Sequence, residues 1–108
     1  MMRVFFQMTG GAGFFPGLGA PSVIDIETLA GEAGPALKQL VADTEFFWLP
    51  PRIPAPRGHA GGRSYEITIE DGGRRHTVAV SEPIIPQAMH NLIVRLRELA
   101  FSTTLPAM

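Results

Sequence analysis

The sequence predicts one α+β domain: a four-stranded antiparallel sheet in the order β-β-α-β-β-α, with two helices packed on one face. Three patterns carry that expectation. Two alternating runs flank Gly72-Gly73, an apolar stripe at helical spacing follows Pro86, and the prolines at 50, 51, 54 and 56 end an earlier helical pattern abruptly. The domain is expected to span residues 1–100, with residues 101–108 a frayed tail around Pro106.

Arg3 to Thr9 alternates as a strand, with Val4, Phe6 and Met8 on one face and Phe5 on the other. Ser22 to Glu27 alternates again, setting Ile24 and Ile26 opposite Val23 and Asp25, so these two runs are expected to pair as a hairpin. From Pro35, a residue suited to a first helical turn, the positions Leu37, Leu40 and Val41 and the pair Phe46-Phe47 keep helical spacing. That helix must stop by Leu49, and an extended loop is expected from there to Gly62.

In the second half, Tyr65, Ile67 and Ile69 alternate with polar residues, as do His76, Val78 and Val80. A two-residue turn at Gly72-Gly73 sets Ile69 beside His76, Ile67 beside Val78 and Tyr65 beside Val80; a slip to Asp71-Gly72 also keeps the apolar faces together, whereas a three-residue loop does not. The last element opens at Pro86 and runs to about Ala100, with Met89, Leu92, Ile93, Leu96 and Leu99 in one stripe and His90, Asn91, Arg95 and Glu98 on the remaining surface.

Composition narrows the function classes. Nine basic and ten acidic residues leave a formal charge of -1, which gives no electrostatic basis for binding nucleic acid or an anionic membrane surface. The chain has no cysteine, so disulfides, thiolate nucleophiles and cysteine-based metal sites are excluded, and a reducing compartment fits. The apolar run at Val4-Phe5-Phe6 is too brief for a secretion signal, and no segment approaches the roughly 20 residues of a spanning helix. A cytoplasmic protein with no membrane role is the expectation.

No catalytic pattern emerges. The serines at 22, 64, 81 and 102 lack a nucleophile-elbow context. His59, His76 and His90 fall on a loop, a strand and a helix with no i, i+4 pair, so no metal and no cofactor are expected. Glu66 and Glu70 belong to the polar face of a hairpin, and Gly10-Gly11-Ala12-Gly13 follows a strand without opening a helix, which is not the geometry of a phosphate loop. What stands out is a segment of five glycines, Gly10 to Ala20, that carries Phe14, Phe15 and Leu18. Large apolar groups on a glycine-rich backbone either plug the end of the sheet or meet another protein. The proline-rich stretch Pro50 to Gly62, with Arg52, Ile53, Arg57 and His59, is a second candidate surface, since proline lowers the entropy lost on docking.

The segment Phe46-Phe47-Trp48-Leu49-Pro50, the run Glu70-Asp71-Gly72-Gly73-Arg74-Arg75-His76-Thr77-Val78 and the final Leu96-Arg97-Glu98-Leu99-Ala100 together resemble the emfourins, small bacterial protein inhibitors of thermolysin-like zinc metalloproteases. The likeness covers most of residues 3–100. It implies a non-enzymatic, cytoplasmic inhibitor, a monomer or weak homodimer, whose protein partner is a thermolysin-like metalloprotease. Such proteases, the resemblance implies, favour a bulky apolar side chain beside the scissile bond, which Phe14, Phe15 or Leu18 could imitate. The expected partner-binding residues are therefore Gly10, Gly11, Phe14, Phe15, Leu18, Arg52, Ile53 and His59. The competing expectation is a structural or regulatory domain that dimerises through a sheet edge or the Phe5 face and has no protease target.

Overall fold

The computed structural model describes residues 2–10, 22–53, 63–84 and 86–104. The chain forms β1 (Met2–Gly10), β2 (Ser22–Asp25), a 3₁₀ turn (Ile26–Thr28), α1 (Ala33–Thr44), a second 3₁₀ turn (Phe46–Trp48), β3 (Arg52–Ile53), β4 (Arg63–Asp71), β5 (Arg74–Ser81) and α2 (Gln87–Thr104). The strands make one five-stranded sheet in the order β2-β1-β4-β5-β3.

The expectation of four antiparallel strands is corrected at one edge. Arg52 and Ile53, assigned to loop, pair in parallel with Ala79 and Val80, and the Ala79 amide donates to the Pro51 carbonyl at 2.9 Å. Two residues between prolines cannot show an alternation, and an edge strand tolerates flanking residues that lack an N–H. The remaining pairs, β1 with β2, β1 with β4 and β4 with β5, are antiparallel as expected.

The β4–β5 register is the one set by a turn at Gly72-Gly73: Ile69 opposes His76, Ile67 opposes Val78 and Tyr65 opposes Val80. Gly72 and Gly73 have φ of 57° and 92°, the two positive values that a type I′ turn demands and that side chains resist. Two other boundaries differ from expectation. The second strand ends at Asp25, whose Oδ1 accepts the Glu27 amide at 3.0 Å and whose carbonyl accepts the Thr28 hydroxyl at 2.8 Å, winding the chain into a turn while Ile26 still enters the core. The first helix stops at Thr44 because Glu45 is left-handed (φ 53°), so Phe46 and Phe47 belong to a separate turn and not to the helix. At the other end of α1, Gly34 lets the helix approach Ile26; a Cβ there would lie 3.0 Å from the Ile26 carbonyl oxygen.

Both helices cover one face of the sheet. Val4, Phe6, Ile24, Ile67, Ile69, Val78 and Val80 meet Leu37 and Val41 of α1 and Met89, Leu92, Ile93 and Leu96 of α2 in one buried cluster. Helix α2 carries the expected stripe and runs on to Thr104, while 105–108 lie outside the described residues. Among the described residues no helix packs on the opposite face of the sheet, which is largely polar. There Thr68 and Thr77 share a hydrogen bond at 2.7 Å, Glu70 pairs with Arg3 and Arg75, and the Arg75 guanidinium sits 5.5 Å from the half-buried Phe5 ring. Such a face is ordinary for an antiparallel sheet with water on one side.

Candidate functional site

Strand direction gathers the anchors of both candidate segments at one end of the sheet. Gly10, the last residue of β1, opposes Arg63, the first of β4; Phe6 opposes Ser22, the first of β2; Ser64 opposes Ser81, the last of β5; and Ile53 ends β3 beside Val80. Segments 11–21 and 54–62 therefore leave and rejoin the domain at this end. Gly11, Phe14, Phe15, Leu18 and His59 lie outside the described residues. Of the others, Arg52 is exposed, and Ile53 is half-buried, packed against the core.

Glu82 fastens this end. Its Oε1 accepts the Arg63 amide at 3.2 Å, its Oε2 accepts the Tyr65 hydroxyl at 2.7 Å, and its own amide donates to the Arg63 carbonyl at 2.9 Å. Tyr65, only 1% exposed, stacks on Phe6 with ring centroids 5.8 Å apart. A buried phenol bonded to a carboxylate holds the point where segment 54–62 enters β4. Sequence reasoning placed Tyr65 in the core and weighed Glu82 only as one of several surface carboxylates, because nothing in its neighbourhood signals a partner 17 residues back.

That contact has a measurable consequence. Burial, and then the hydrogen bond and negative charge of Glu82, raise the Tyr65 pKa above its ordinary 10.0, while Arg97 and Arg63 oppose the rise. The folded state keeps its proton where the unfolded chain has lost it. Stability from this group is thus complete below pH 10.0 and falls as pH rises from there through the folded value. Since Tyr65 is the only tyrosine, a spectroscopic tyrosinate titration reads it directly. Ionisation should begin later in the folded protein than in urea, with melting temperature falling over the same alkaline range; coincident titrations would contradict the Tyr65–Glu82 contact.

At the opposite end of the sheet, beside the Gly72-Gly73 turn, the chain displays a feature that the sequence did not disclose. Trp48 is 88% exposed. Its turn is nevertheless fixed: the Trp48 amide donates to the Glu45 carbonyl at 2.9 Å, the Leu49 amide to the Phe46 carbonyl at 3.1 Å, and His76 Nε2 bonds the Leu49 carbonyl at 2.7 Å. Phe46 is buried edge-on against both Phe47 and His76, and the Arg74 guanidinium lies 4.1 Å from the Phe47 ring centroid. Helical spacing made Phe46-Phe47-Trp48 look like the end of a helix, and spacing alone does not tell which member of an aromatic run faces outward.

Among the described residues no three potential metal ligands gather, and no helix is long and apolar enough to cross a membrane. The Emfourin family model matches residues 6–97, and the chain belongs to that family. Emfourins are inhibitors, so this protein is a protease inhibitor and not an enzyme. No curated protein and no solved structure matches the chain. Membership displaces the expectation of an interaction domain without a protease target.

Proposed function

We propose that the protein inhibits a thermolysin-like zinc metalloprotease by covering its active-site cleft with segments 11–21 and 54–62. The observation that supports this reading is the common origin of the two segments: both depart from the Gly10, Arg63 and Ser81 end of the sheet, where Glu82 ties Arg63 to Tyr65. Two segments rooted within one sheet width reach a single cleft together, and a rigid root lowers the ordering cost of binding.

In this mechanism Phe14, Phe15 and Leu18 supply the apolar side chains that enter the substrate-binding cleft, and Gly10 and Gly11 let the backbone turn toward it. Arg52, Ile53 and His59 flank from the second segment. Nothing in the mechanism asks the inhibitor to do chemistry; it excludes substrate. The absence of cysteine suits action in a reducing cytoplasm on a protease of the same cell. Titrating a thermolysin-like enzyme with the purified protein tests the reading: residual activity should fall in proportion to added inhibitor.

A further inference from the structure

The β4–β5 ladder is closed by a side chain. Ser64 opposes Ser81, so the same register continued by one residue sets Arg63 opposite Glu82. In a regular antiparallel rung two such residues exchange both of their N–H to carbonyl bonds. Here the Glu82 amide does donate to the Arg63 carbonyl at 2.9 Å, but the Arg63 amide donates at 3.2 Å to Glu82 Oε1, which takes the place of the backbone carbonyl. The other carboxylate oxygen accepts the Tyr65 hydroxyl at 2.7 Å.

This placement ties both segments to one carboxylate. Arg63 is where segment 54–62 rejoins the sheet, and it opposes Gly10, from which segment 11–21 departs. On its other side Arg63 is held by Glu82, and Glu82 is held in turn by a ring that cannot shift without opening the core, since Tyr65 is buried and stacked on Phe6. Both oxygens of the half-buried Glu82 carboxylate are engaged within the domain. Its influence on a bound protein therefore passes through the backbone of Arg63.

We propose that Glu82 is the positioning residue of the inhibitory end: its carboxylate, held between the Arg63 amide and the Tyr65 hydroxyl, sets the departure of both segments without touching the protease. The proposal rests on the occlusion reading above and adds to it a residue that makes no contact with the partner. Without the carboxylate the contact residues of both segments keep their chemistry, but the start of β4 loosens and its ordering is deferred to the moment of binding, which weakens the complex.

The test compares the parent with Glu82→Ala and Glu82→Gln by inhibition constant against a thermolysin-like enzyme, at a temperature where circular dichroism shows all three folded. Glu82→Ala should raise the inhibition constant about tenfold or more. Glu82→Gln should return most of the loss, because an amide still offers an oxygen to the Arg63 amide and an N–H to the Tyr65 oxygen. In the free proteins, hydrogen exchange at the Arg63 amide should quicken in Glu82→Ala while the amides of Ile67 and Val78 keep their protection, a local loosening that a general loss of stability would not give. A folded Glu82→Ala that inhibits as well as the parent overturns the proposal, and so does a Glu82→Gln that inhibits no better than Glu82→Ala. Parent protein that leaves the enzyme fully active is a different failure: it defeats the occlusion reading and this proposal with it.

Discussion

A variant carrying Phe14→Ser, Phe15→Ser and Leu18→Ser is expected to fold as the parent does and to lose inhibition of a thermolysin-like protease by about 1000-fold. Anchoring apolar side chains at the centre of an interface cost about 2 kcal/mol or more each when truncated, and two such losses amount to roughly three orders of magnitude in affinity. The variant also separates the two roles weighed for these residues. If they plugged the end of the sheet, replacing them would expose core and lower the melting temperature; if they serve the protease, the melt stays and the inhibition goes. Inhibition that survives the triple change in a folded protein would remove the cleft-filling mechanism.

The second large effect concerns stability. Phe46→Ala is expected to cost about 3–5 kcal/mol, the usual range for emptying a buried phenylalanine site. Phe46 is 1% exposed and touches two aromatic neighbours edge-on, Phe47 at 5.9 Å and His76 at 5.7 Å between centroids. Domains of this size have total stabilities of about 5–15 kcal/mol, so the loss should lower the melting temperature by at least about 12 °C. The neighbouring Trp48→Ala, made at an 88% exposed position, should leave monomer stability within about 0.5 kcal/mol of the parent. Two adjacent aromatics with opposite responses in chemical denaturation would establish which one holds the turn and which one is displayed. Comparable losses at both would contradict the described geometry.

The contrast between Phe46 and Trp48 also marks where the sequence stops being informative. Alternation across Gly72-Gly73 specified the β4–β5 register to the residue, because a slip by one would have turned Ile67, Ile69, Val78 and Val80 into water. The α2 stripe was legible for the same reason: periodicity reports burial when a whole element faces one core. Strand β3 was not legible, since two residues among prolines have no period, and its pairing is decided by where the chain happens to pass β5. Nor was the break at Glu45, which depends on one backbone angle in a residue with no strong preference for it. For the candidate site, the sequence singled out the glycine-rich and proline-rich segments from composition, and chain topology then placed their anchors side by side. The role of Glu82 was not legible because it lies in a contact with Arg63 and Tyr65 across the sheet end, which no local pattern encodes.

The claim that this α+β domain stops a zinc metalloprotease by stoichiometric occlusion is tested most directly by titrating a fixed amount of thermolysin-like enzyme with the purified protein, beside a trypsin-type serine protease. The metalloprotease activity should fall linearly and reach zero near one inhibitor chain per enzyme, with the serine protease unaffected. Undiminished metalloprotease activity at a large molar excess of folded inhibitor would contradict the account.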